Sequence, residues 1–130
     1  MIVGFNVDTL EASKQQEAAG NIQINYLPEL EEVEEIEVDA FEEKVAKIDY
    51  EFTVQYEAND NVIAEIKMSG NVLWKGQLEE ILEAWEEEND LPDAVSAPLM
   101  NELYRKLISE AVGVADTLNL LPPVPTPQVQ

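Results

Sequence analysis

The chain has 130 residues, 45% of them hydrophobic, with 28 acidic against 7 basic side chains and a net charge of −21. That length and apolar content suit a single domain with a core of its own, while the charge repels nucleic-acid backbones and anionic membrane surfaces and favours a basic or cationic-apolar partner. Cysteine and histidine are both absent, which excludes disulfides, Cys/His zinc sites, thiol nucleophiles and a Ser-His-Asp triad.

The first half reads as strands. Val3, Phe5 and Val7 alternate with Gly4, Asn6 and Asp8, and the polar stretch from Glu11 to Asn21 reads as a connection. Ile22, Ile24 and Tyr26 alternate with Gln23 and Asn25, and Pro28 then marks a bend or an edge position. From Leu30 to Phe41 the side chains Glu35, Glu37 and Asp39 stand opposite Ile36, Val38 and Ala40, although the step from Val33 to Ile36 has helical spacing. The clearest strand places Ile48, Tyr50, Phe52, Val54 and Tyr56 on one face and Asp49, Glu51, Thr53, Gln55 and Glu57 on the other. After the turn signal Ala58-Asn59-Asp60-Asn61, the residues Ala64, Ile66, Met68, Gly70, Val72 and Trp74 repeat the alternation. Such a pattern belongs to a sheet with one face buried and one face wet. Gly70 inside it marks a bend, a bulge or the close approach of a peptide. The connections suit antiparallel pairing, and none has room for a helical crossover.

The second half changes period. Leu78, Ile81, Leu82 and Trp85 form one helical stripe among glutamates. The stretch from Leu91 to Pro98 reads as a connection, and a longer helix runs from about Leu99 to Leu118. The expected fold is therefore α+β: an antiparallel meander sheet of about four strands followed by two helices packed on one face. Residues 1–76 are the strand-rich half, 77–121 the helical half and 122–130 a proline-rich C-terminal segment of one domain. On the long helix, Leu99, Met100, Leu103, Tyr104, Leu107, Ile108, Ala111, Val112, Val114, Ala115 and Leu118 spread over roughly 220°, about twice the arc needed to cover a sheet. The surplus calls for another surface: the short helix, the tail or a second subunit.

The end of the chain carries a resemblance. Tyr104-Arg105 and Ile108-Ser109 lie in the long helix, and Leu118-Asn119-Leu120-Leu121-Pro122-Pro123-Val124 follows it. Together with the strand-rich first half, this resembles the SecB family of export chaperones, and the leucine and repeated-proline ending is closest in style to the short archaeal SecB-like proteins. The likeness covers most of the chain in layout, and in residues only its last twenty-five or so. It implies an ATP-independent cytosolic holdase for unfolded polypeptides, acting in protein export or transport. It implies apolar grooves, dimers joined at edge strands and homotetramers joined through the long helices. Peptide-contact candidates are then Phe5, Tyr26, Tyr50, Phe52, Tyr56, Trp74 and Leu121. Oligomer-interface candidates are Tyr104, Ile108, Val112 and Ala115. Bacterial members also end in a zinc-bearing tail with cysteine and histidine, which this chain lacks. Leu118, Leu120 and Leu121 are expected to fold back and be buried, with residues 126–130 mobile.

Other readings stay open. A SecB-like fold could serve one dedicated partner, such as a toxin–antitoxin component. An enzyme built on acidic residues and a divalent metal is a third class. However, the glutamate pairs Glu31-Glu32, Glu34-Glu35 and Glu79-Glu80 and the run Glu86-Glu87-Glu88 have the look of solvated faces rather than paired catalytic carboxylates. No calcium-loop spacing and no phosphate-binding glycine loop occurs, so neither metal nor cofactor is expected. There is no leader-like start and no run of ~18 apolar residues, which leads to the expectation of a cytoplasmic protein without membrane insertion. Trp74 and Trp85 keep the apolar phase of their elements, so core packing competes with a groove role for both. The wide arc predicts a homo-oligomer. Ile108→Glu or Val112→Lys should shift the sedimenting mass to smaller species while the strand signal in circular dichroism persists, and a native chain that sediments as a monomer at micromolar concentration would remove the idea.

Overall fold

The computed structural model describes residues 1–15, 21–40 and 42–123. They form β1 (Ile2–Lys14), β2 (Gln23–Ile36), β3 (Val45–Ala58), β4 (Asn61–Trp74), α1 (Leu78–Glu88) and α2 (Asp93–Thr117). The expected α+β layout is present: one four-stranded antiparallel sheet, then two helices. The strand order is β1–β4–β3–β2. The meander thus runs through β2, β3 and β4, and β1 lies against β4 rather than against its sequence neighbour.

The central hairpin follows directly from its alternation. Ile48, Tyr50, Phe52, Val54 and Tyr56 on β3 and Ala64, Ile66, Met68, Val72 and Trp74 on β4 are all buried. The two strands are joined by Asn59 and Asp60, both with positive φ (53° and 64°). A two-residue hairpin turn of this hand matches strand twist and prefers Asn and Asp at such angles.

The outer strands depart from the simple pattern because of bulges. The polar stretch expected as a connection continues β1 to Lys14, with Glu11 opposite Lys67 and Ser13 opposite Glu65. Polar side chains cost nothing on the wet face of an edge strand, so the backbone goes on pairing. A register shift between Val7 and Thr9 makes Asp8 the extra residue, and Val7 and Leu10, three apart, then share the face of Gly70 and Met68. On β2 a shift between Leu30 and Glu32 likewise puts Leu30 opposite Tyr50 and Val33 opposite Ile48. This bulge explains the three-residue spacing near Val33. Pro28 sits inside β2 opposite Phe52, which an edge strand tolerates because an outward N–H needs no partner. The strand stops at Ile36, so Val38 and Ala40 are not in it; Asp39 and Ala40 form a turn, and Phe41 lies outside the described residues.

Gly70 is where β1 folds over β4. A Cβ there would lie 2.0 Å from the Asn6 carbonyl oxygen. The missing side chain also lets Tyr50 reach across, and its hydroxyl donates to that same carbonyl at 2.7 Å. The close approach anticipated for a peptide is thus made by the chain's own β1.

Both helices pack into one core with the sheet. Helix α1 lies over β2 and β3, and α2 lies over β4 with its Tyr104 reaching Phe52 of β3 and Tyr26 of β2. α1 starts after Gly76 (φ 101°) and Gln77 (φ 50°), buries Ile81 and ends at Asn89 in the left-handed region (φ 55°). Helix α2 begins at Asp93, not near Leu99, and contains Pro98. A proline inside a helix removes one backbone bond and costs about 3 kcal/mol. Burial of Val95 and Leu99 on either side, at roughly 1.5–3 kcal/mol each, offsets this. The sheet-facing side of α2 is the series Val95, Leu99, Leu103, Leu107, Ala111 and Ala115.

The helix ends in a Schellman turn. Asn119 takes φ 57°, its N–H bonds to the Asp116 carbonyl, and the Leu120 N–H bonds to the Ala115 carbonyl. Leu120 is therefore pressed against the core. Up to residue 123 the chain beyond has no regular secondary structure. Leu121 is 53% exposed and Leu118 is half-buried, which corrects the expectation that all three leucines are buried. Pro122 is exposed and Pro123 buried. The expectation for residues 126–130 lies outside the described residues. Gly70→Ala should lower the denaturant-measured stability by about 3 kcal/mol or more, because backbone must move. Gly113→Ala, which meets open space, should raise it by up to about 1 kcal/mol as a helix-interior exchange. Equal effects at the two glycines would contradict this packing.

Candidate functional site

The seven peptide-contact candidates do not form one surface. Tyr50, Phe52 and Tyr56 lie in the core beneath the helices and Trp74 is buried at the α1 end, where its indole N–H donates to the Gln77 side chain at 3.1 Å. Phe5 and Tyr26 are half-buried on the two outer strands, and Leu121 is exposed. Their contacts divide them between two margins of the apolar sheet face. Among the interface candidates, Tyr104, Ile108 and Val112 are half-buried along α2, whereas Ala115 is fully buried in its own subunit and offers no surface to a partner.

The first margin runs along β2. The Tyr26 and Tyr104 rings meet edge to face with centroids 6.4 Å apart, and Tyr104 meets Phe52 in the same way at 5.5 Å. Such pairs add about 0.5–1.5 kcal/mol beyond the area they bury. The Tyr56 hydroxyl donates to the main-chain carbonyl of Leu121 at 2.6 Å. The helix, the edge strand and the tail thus converge on a tyrosine-lined seam.

The second margin runs along β1. Phe5 packs on Tyr50 with ring centroids 5.7 Å apart. Beyond Phe5, Val7 is 39% and Leu10 47% exposed, although both lie on the helix-facing side of the sheet. The helices leave these two side chains partly uncovered. Leu10 was missed in the sequence because the bulge at Asp8 breaks the period-two alternation and places it in a stretch that reads as polar connection. Only the apolar residue itself, three positions after Val7, signals it. Leu27, also exposed, is an isolated apolar side chain among polar ones on the other face.

The face of the sheet turned away from the helices is wet and acidic. Lys47 pairs with Glu34 at 3.4 Å, and Lys67 with Glu65 at 3.7 Å and Glu51 at 3.8 Å. Glu31, the extra residue of the β2 bulge, has its carboxyl held above the usual range, first by desolvation and then by the neighbouring Glu51 with which it hydrogen-bonds. The glutamate pairs of the sequence are exposed, as a solvated face requires. Among the described residues no group of three or more acidic side chains is arranged to hold a metal ion, and no helix is long and apolar enough to cross a membrane.

β1 and β2 are the outer strands of the sheet. An outer strand offers a row of main-chain donors and acceptors to any extended chain laid beside it. Here each open edge adjoins an apolar margin. This combination can hold a stretch of polypeptide without reading its side chains individually. In one solved structure the whole architecture recurs. The SecB-like chaperone Rv1957 of Mycobacterium tuberculosis, in complex with a ChAD peptide from the Rv1956 HigA1 antitoxin, matches 100% of this chain and 90% of its own, with a TM-score of 0.67 at 12% identity. The fold is SecB-like. No protein-family model and no curated protein sequence matches the chain. The SecB-like sheet of this chain shares with that neighbour its layout, and the tyrosine seam and the β1 margin are described from this chain's own residues.

Burial pushes the Tyr50 hydroxyl up to about 12, with the nearby Asp8 carboxylate adding to it. Burial does the same for Tyr56, also to about 12, with Tyr26 adding. The folded chain therefore holds these phenols neutral more tightly than the unfolded chain, whose value is 10.0. The stabilisation is complete below about pH 10 and is lost as pH rises through about 12. Melting temperature should fall across that window, and tyrosinate absorbance should show two late-titrating groups. Tyr50→Phe should remove one of them and cost about 1 kcal/mol, the worth of a neutral hydrogen bond. Ordinary titration of both phenols in a chain that stays folded would contradict the buried geometry.

Proposed function

We propose that the chain is an ATP-independent polypeptide-binding chaperone of SecB type, a cytoplasmic holdase that works as a homo-oligomer. One observation carries this reading: an apolar sheet face that the helices leave uncovered at its rim, with Val7 and Leu10 exposed beside the open edge of β1. Apolar side chains beside unpaired backbone suit an extended, non-native chain, because apolar area supplies the attraction and the edge satisfies the main-chain groups that come with it. The charge of −21 supports the same reading. It keeps a molecule with an open edge from joining indiscriminately to its own kind and draws basic segments of a client. In the oligomer, the half-buried Ile108 and Val112 of α2 meet a second copy, and the β1 edge stays open to clients.

The structural neighbour's bound antitoxin peptide favours a second reading, in which the same surface serves one dedicated partner. Recovery of a single stoichiometric protein with the chain from its native cells would select that reading. Recovery of many proteins would select the general holdase.

The deciding experiment is light scattering from a chemically unfolded client diluted into buffer with and without the protein, with no nucleotide present. An equimolar amount of the chain should suppress scattering, and Leu10→Asp should weaken the suppression severalfold while the melting temperature stays close to that of the parent. Equal scattering with and without the chain, or an ATP requirement, would overturn the proposal.

A further inference from the structure

The tyrosine seam already holds a piece of polypeptide, the chain's own. After the Schellman turn, residues 120–123 have no regular secondary structure, and Leu120 and Pro123 are buried while Leu121 and Pro122 are exposed. The Leu121 carbonyl takes the hydroxyl of Tyr56, which is itself fully buried. Among the described residues no buried side-chain nitrogen or oxygen lacks a partner, so a departing tail would leave the Tyr56 hydroxyl in need of a new acceptor. An unmet buried donor is costly.

The seated segment also has a particular chemistry. Leu121 precedes Pro122 and Pro123, and neither proline carries a backbone N–H. A leucine segment running into proline can therefore lie on an apolar surface beside a strand, rather than paired with it, with few donors to satisfy. What remains is a carbonyl, and the seam supplies one hydroxyl for it.

We propose that Tyr56 reads a main-chain carbonyl of clients at this seam, that the seam selects extended leucine segments leading into proline, and that Leu120–Pro123 occupies it until such a client displaces them. The proposal rests on the polypeptide-binding reading above and adds to it a client class, a residue that recognises it and an internal competitor.

The chain has no cysteine, so Leu121→Cys gives one attachment point for a spin label at a side chain that faces solvent. The probe is a dye-labelled peptide of residues 118–123, Leu-Asn-Leu-Leu-Pro-Pro, beside the same peptide with both prolines replaced by alanine. Binding of the proline peptide to the full chain should mobilise the label, and the alanine peptide should bind several times more weakly. Leu120→Ala, which loosens the tail, should raise affinity for the proline peptide about tenfold, since less of the chain is self-occupied. In that background Tyr56→Phe should lower affinity about three- to tenfold, the worth of one neutral hydrogen bond. In the parent chain the same exchange should change affinity less, because tail and client lose the bond alike. Should Leu120→Ala fail to fold, Tyr56→Phe alone should still mobilise the label without any peptide. A peptide that binds while the label stays immobilised, or that binds equally with and without its prolines, overturns the inference and leaves the chaperone reading standing. If neither peptide nor any unfolded client binds any form of the chain, both fall together.

Discussion

The apolar face of the β3–β4 hairpin has to be taken out of water, and the rest of the fold answers to that requirement. Side chains from Ile48 to Tyr56 and from Ala64 to Trp74 point the same way and are buried. Each large one contributes roughly 1.5–3 kcal/mol when covered. Two helices are the cover, and the stripe from Val95 to Ala115 makes α2 the principal one. A helix is only about 10–12 Å wide with its side chains, while a sheet of four strands is wider. The centre is sealed and the rims are not. The same shortage of cover that would be a defect in an ordinary domain becomes a binding surface when the rims adjoin open edges.

Bulges and tyrosines shape those rims. The shift at Asp8 curls β1 over Gly70, and Tyr50 fastens the curl by donating to the Asn6 carbonyl. The shift near Glu31 keeps Leu30 and Val33 on the covered side while sending an extra carboxylate outward. Tyrosine serves both rims for one reason: its ring packs like phenylalanine, and its hydroxyl, which burial would otherwise leave without an acceptor, meets a backbone carbonyl. At β1 that carbonyl is fixed by strand pairing. At the tail it belongs to a segment held by one Schellman turn, the buried Leu120 and Pro123, and one hydrogen bond. The first contact is structural, and the second is of the kind that a competing polypeptide can replace.

The acidic surface complements this arrangement. Ion pairs such as Lys47–Glu34 and Lys67–Glu65 are partly exposed and each contributes little to stability. Their neighbours leave the outer face of the sheet with negative charge in excess. That charge acts at a distance, through steering and repulsion, and weakens as salt screens it. Apolar capture at the rims and electrostatic attraction across the face are therefore separate contributions that respond to different conditions.

Period and charge made much of this protein legible in advance. The hairpin core from Ile48 to Trp74, the α1 stripe and the α+β order follow from side-chain spacing alone, because burial on one face leaves a regular mark in the chain. The sequence marked Gly70 as a bend, a bulge or a close approach and Pro28 as a bend or an edge position, since each lacks the group that a central strand position would use, and the fold selects close approach for the one and the edge for the other. It did not reveal which strand lies beside which. β1 joins β4 because two strand edges were available and only the assembled sheet chooses between them. Leu10 was hidden by a bulge, and a bulge is a property of pairing, not of one strand. The start of α2 was hidden by Pro98, whose local cost is outweighed by burial of Val95 and Leu99 that no local pattern weighs. Finally, Leu121 and Leu120 carry the same apolar side chain in the same stretch of sequence. Only the turn at Asn119 decides that one is pressed into the core while the other faces solvent and gives its carbonyl to Tyr56.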